Sequence, residues 1–146
     1  MSELQQALLI SALTVCSSVF VLVAGQIIIR FLLDPLTELR KLLGEISDSL
    51  TFYANVYSNP GQIKEELTDE AMRSLRQRSS QLWARALALP LYSLFRFLRL
   101  VPSKKQISEA SSDLIRLSNS LDSGDDPKTN TEAAVAIREA LGWRKE

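Results

Sequence analysis

From Leu4 to Ile29 the chain carries no charged residue. In a helix, at roughly 1.5 Å per residue, such a run matches the ~30 Å hydrocarbon core of a bilayer. A soluble core helix of that length shows a polar face; this one offers only Gln, Ser, Thr and Cys16. A secretory signal peptide opens on basic residues, and Met1 to Gln6 contains none. Val23–Gly25 has the small-residue look of a cleavage site, but Ile27–Ile29 and Phe31–Leu33 carry the apolar run past it. The expectation is a transmembrane helix within residues 1–33. Arg30, Arg40 and Lys41 follow the run and no Lys or Arg precedes it, so the positive-inside tendency predicts an external N-terminus and a cytoplasmic 34–146.

The polar residues of the run are not scattered. At 100° per residue, Ala7, Ser11, Thr14, Ser18 and Gly25 fall on one stripe about 60° wide. Small residues on one face let a second helix approach closely. The same hydroxyls can instead bond back to their own helix carbonyls. Gln26, one turn before Arg30, either snorkels with it to the interface or bridges between copies.

Beyond Arg30 the stripe continues as an apolar seam through Leu32, Leu36, Leu39, Leu43, Ile46 and Leu50, then Ala54 and Tyr57, with a stutter at Ile28–Leu32–Leu36 beside Pro35. The seam suits a coiled coil between copies or packing against later helices of the same chain. Asp34-Pro35 reads as an N-cap and first-turn proline, predicting a kink or restart there and a helix over 34–57. Ser58 to Gly61 is a turn. A basic helix over 62–101 follows, kinked at Pro90, with Met72, Leu75, Leu82, Ala86 and Leu89 apolar. In its last part Arg85, Tyr92, Arg96 and Arg99 share one side while Leu94, Phe97, Leu98 and Val101 crowd the other. That pattern fits an interfacial helix or the central helix of a bundle. Ser103 with Gln106 forms a capping box opening a helix over 104–122, with Ile107, Ala110, Leu114, Leu117 and Leu121 on one face. Thr129 with Glu132 predicts a second box and a helix over 130–141, capped by Gly142, with Trp143 docking back. The expected fold is all-α: a membrane helix continuing into a cytosolic bundle of about four helices.

Charge and composition narrow the chemistry. Net charge is zero, yet residues 61–105 hold nine Lys/Arg against four Asp/Glu. There is no histidine, and Cys16 is alone, which removes the commonest general base, the commonest metal ligand and any internal disulfide. No phosphate-binding glycine loop or nucleophile elbow occurs. The loop from Asp122 to Asp126 hints at calcium, but Pro127 and Ala133 stand where an EF-hand needs glycine and glutamate. Glu65, Glu66, Asp69 and Glu70 open the second helix, where its dipole favours them. Neither an enzyme nor a cofactor is expected. Arg73, Arg76, Arg78, Arg85, Arg96 and Arg99 could hold an anionic ligand or lipid headgroup, or pair with acids on neighbouring helices. Without aromatic residues among Arg73–Arg78 there is no base-stacking platform, so nucleic acid is disfavoured.

The run from Phe31 to Gly61, with Ala133 to Trp143 at the end, resembles a group of short bacterial single-pass membrane proteins without assigned function. The resemblance implies a bacterial inner-membrane setting and carries no catalytic motif. In architecture alone the chain is similar to small oligomeric membrane proteins that accompany RNA-targeting CRISPR systems. Their Arg–His signature has no counterpart in a chain without histidine. Three functions follow as expectations: a non-enzymatic protein that self-associates or scaffolds a cytoplasmic partner; a small oligomeric pore or membrane-disrupting effector with Ser11, Thr14, Ser18 and Gln26 facing its lumen; or a tethered sensor of an anion at the arginines.

Overall fold

Pro35 has no N–H to offer the carbonyl four residues back, and its ring crowds that carbonyl. A helix meeting such a residue must stop, kink or change pitch. In the computed structural model, which describes residues 3–123 and 126–143, it changes pitch. Helix α1 (Glu3–Ile28) passes through a π-helical turn (Ile29–Leu33) into α2 (Asp34–Phe52), making one helix of 50 residues. The Asp34 N–H donates to the Ile29 carbonyl five residues back. The expected cap and restart at Asp34 are therefore corrected: Leu33 and Asp34 are both helical and no side chain caps α2. A single wide turn accommodates a missing donor without ending the helix. It also falls where the seam stutters.

Helix α1 buries no residue against the rest of the chain, and it is long and apolar enough to cross a membrane. Helix α2 differs at once. Leu36, Leu39, Leu42, Leu43, Ile46 and Leu50 recur at steps of three and four, and all are buried. They pack on α4 (Glu65–Ala88), which packs on α6 (Lys104–Ser123), which packs on α7 (Pro127–Ala140). Short α3 (Ala54–Ser58) leaves α2 at Tyr53, where helical geometry fails, and inserts Val56 and Tyr57 against the core. The Tyr57 hydroxyl donates to the Leu50 carbonyl at 2.9 Å. The single helix expected over 34–57 is thus two. Among the described residues there is no strand.

The helix expected over 62–101 ends outright rather than kinking. Leu89, the residue before Pro90, is pushed to an extended conformation, as pre-proline residues are, and Leu91 turns left-handed at φ 49°. Helix α5 (Tyr92–Phe97) then runs separately and closes on Arg99, left-handed at φ 57°. Tyr92 and Phe95 point into the core, leaving Leu94, Phe97 and Leu98 exposed. The inward face is therefore not the Leu94–Phe97–Leu98 side of an unbroken projection, because the break at Pro90 resets the phase.

The Ser103–Gln106 capping box is present in both directions, at 2.8 and 3.2 Å. All five apolar residues of its helix, Ile107, Ala110, Leu114, Leu117 and Leu121, are buried. Small residues bring α4 and α6 close: the Ser79 hydroxyl bonds the Ser111 carbonyl at 2.9 Å and the Ser118 hydroxyl donates to the Met72 carbonyl at 3.1 Å. Helix α7 starts three residues earlier than expected. Asp126 accepts from the Lys128 N–H at 3.1 Å and Pro127 takes the first turn, so Thr129 lies inside the helix and caps nothing. Its far end closes on Gly142 at φ 84°, with the Trp143 N–H reaching the Arg138 carbonyl at 2.9 Å. Trp143 packs half-buried on the core.

Candidate functional site

Two pairs fix how the arginine helix lies on α2. Arg78 pairs with Glu45, and Arg85 with Glu38 at 3.0 Å. Moving two turns up α4 moves two turns down α2, so the helices are antiparallel and the end of α4 returns to the start of α2. Helix α6 runs antiparallel to α4 by the same logic, pairing Ser79 with Ser111 and Met72 with Ser118. One end of the bundle therefore gathers the start of α2, the end of α4, all of α5, the start of α6 and, through Trp143, the end of α7. It is also the end from which α1 departs.

The six arginines separate into two groups. Arg78 and Arg85 hold α4 to α2. Arg76 donates to Ser118 and Asn119 on α6, each at 3.0 Å. Arg73 lies exposed beside Asp69 of its own helix at 3.8 Å. Arg76, Arg78 and Arg85 thus tie helices together, whereas Arg73 sits on the surface of its own. Arg96 and Arg99 instead join Arg40 around a cavity of about 580 Å³, whose other walls include Gln106, Gly142 and Trp143. None of those three guanidinium groups has an ion pair or hydrogen bond among the described residues. Sequence reasoning treated Arg40 only as a flanking charge; its partnership with Arg96 and Arg99 exists only once α4 folds back.

Beside the cavity, Tyr92 donates to the Pro102 carbonyl at 2.8 Å and the Lys104 ammonium sits over its ring at 5.4 Å. Burial pushes the Tyr92 phenol above its ordinary value, against the pull of Arg96. Leu87, Leu91, Leu94, Phe97, Leu98 and Leu100 are exposed around this end, Phe97 by 82%.

On α1, the Ser11, Thr14 and Ser18 hydroxyls donate to the carbonyls of Ala7, Ile10 and Thr14, all at 2.8 Å. A side chain added at Gly25 would meet nothing within 4 Å, so this stripe faces open space. Gln26 and Arg30 line one shallow groove with Leu22, Val23, Ile27 and Phe31. In the seam, Leu32 is half-buried and Leu36, Leu39, Leu43, Ile46 and Leu50 are spent within the chain. Among the described residues no three of His, Cys, Asp and Glu gather to hold a metal. Gly124 and Asp125 of the acidic loop lie outside them. Compared with known protein families, curated proteins and solved structures, the chain matches none.

Proposed function

We propose that this chain is a non-enzymatic, single-pass protein of the bacterial inner membrane, with its N-terminus outside and its helical bundle in the cytoplasm, which associates with further copies through α1. The observation that carries the proposal is α1 itself: 26 residues, almost wholly uncharged, none of them buried. Large apolar side chains left in water forgo about 1.5–3 kcal/mol each, which favours an apolar surround for this helix and supports its reading as a span. Arg30, Arg40 and Lys41 on the bundle side support the orientation.

The stripe of Ala7, Ser11, Thr14, Ser18 and Gly25 supports association. Because the hydroxyls already bond within their own helix, contact between copies rests on close backbone approach rather than on bonds across the interface. The test is the lipid-corrected mass of the solubilised protein by light scattering. We expect an oligomer that Gly25→Leu with Ser18→Leu reduces to a monomer; an unchanged mass in the double variant refutes association through this face. A discrete ring would redirect attention to a pore, for which ion leak from vesicles is the readout. A monomeric wild type would leave α1 an anchor for the bundle and its partner.

A further inference from the structure

We infer that the bundle end formed by the end of α4, α5 and the loop to α6 lies on the membrane as an interfacial surface for anionic lipid headgroups. The inference rests on the proposed span and goes beyond it, because the span fixes where α1 lies and not what the exposed face of the bundle end touches.

Topology is the first support. Arg85 pairs with Glu38, and continuing that antiparallel register carries Leu89–Leu91 to the level of the π turn, where the apolar run of α1 gives out. Since α1 and α2 are one unbroken helix, Leu89–Leu91 is held within about a turn of the end of the apolar run, and the Arg40 and Gly44 wall of the cavity lies about two to three turns beyond it. Composition is the second. Leu91, Leu94, Phe97 and Leu98 are exposed on α5 and its flanks, at a place where water would otherwise cover them. A break at Pro90 and a left-handed Leu91 are what turn them outward.

Charge is the third. Arg40, Arg96 and Arg99 surround the cavity without carboxylate partners among the described residues, and Lys104 and Lys105 open α6 at the same end. Of the acids toward this end of the elements around the cavity, Glu45 is paired with Arg78, Glu38 with Arg85 and Glu109 with Lys105, which leaves Asp34 and Glu139 against the three guanidinium groups and Lys104. Phe97 shares a groove with Arg96 and Lys104, and apolar side chains beside unpaired guanidinium groups match the acyl boundary and phosphate layer of an anionic leaflet. The guanidinium forks suit a headgroup phosphate, and Trp143 on the cavity wall is the residue type that sits at that depth.

The test uses the full chain in vesicles of phosphatidylcholine, alone or mixed with phosphatidylglycerol, containing lipids brominated high on the acyl chain. In a Trp83→Phe, Trp143→Phe background a single reporter is placed by Phe97→Trp, by Phe20→Trp in α1, or by Phe52→Trp at the far end of α2. All three positions are exposed, so folding is little disturbed. We expect Phe97→Trp to be quenched about twofold or more beyond Phe52→Trp, with quenching rising with phosphatidylglycerol and the rise lost on adding Arg96→Gln and Arg99→Gln. Quenching of Phe97→Trp no greater than Phe52→Trp, while Phe20→Trp is strongly quenched, overturns the inference and leaves the span intact. A blue-shifted but unquenched Phe97→Trp also overturns it, assigning the patch to a protein neighbour. If Phe20→Trp escapes quenching as well, the span itself fails.

Discussion

Tyr57 shows how one residue ties local chemistry to stability. Its ring is buried and its hydroxyl donates to the Leu50 carbonyl, bridging α3 to the end of α2. Burial raises its pKa above 10.0, only partly opposed by Arg138. The native state thus holds that proton to higher pH than the unfolded chain does. Stability from this group is complete below pH 10.0 and drains away as pH climbs through the raised native value. Tyr53, raised by burial and by its bond to Glu70, and Tyr92 act in the same direction. Tyr57→Phe should cost about 1 kcal/mol at neutral pH in denaturant titration and make the alkaline loss shallower. An equally steep alkaline loss in the variant would assign it to the other two tyrosines.

Among the elements, α7 separates two sequence signals that compete. Thr129 and Glu132 form a capping box by spacing, but Asp126-Pro127 stands upstream and takes the role, because a proline at the first helical position needs no hydrogen-bond partner. Asp126→Ala should lower stability by about 1 kcal/mol, and Thr129→Ala by far less. Thermal unfolding of the two variants side by side checks it, and the reverse order would place the cap at Thr129. At Pro35 and Pro90 the same residue type produces a wide turn and a helix end. Pro35 lies within one continuous helix whose burial begins at Leu36; after Pro90 the chain must reverse so that α6 can return along α4.

For the whole molecule, the seam decides what is intramolecular. Ile46 is fully buried between α2 and its neighbours in a single copy. Ile46→Ala should therefore unfold the bundle more readily, by about 3 kcal/mol, without changing the number of copies. If the seam joined separate chains, the same change would dissociate the oligomer first, and mass measured below the unfolding transition distinguishes the two.

The long uncharged run, the heptad-spaced leucines of α2, the Ser103 capping box and the Gly142 stop were legible in the amino-acid order, because each is set by neighbours within about one or two helical turns. The sequence alone therefore determined an all-helical chain with an apolar N-terminal helix. It left the seam open between copies and self, and treated the arginines as one set. Tertiary structure divided them. Whether an arginine meets Glu38, Ser118 or the wall of a cavity depends on which helix lies opposite and in which direction, and that is fixed by the packing of faces far apart in the chain. The joining of Arg40 with Arg96 and Arg99, and the outward turn of Phe97, were decided there.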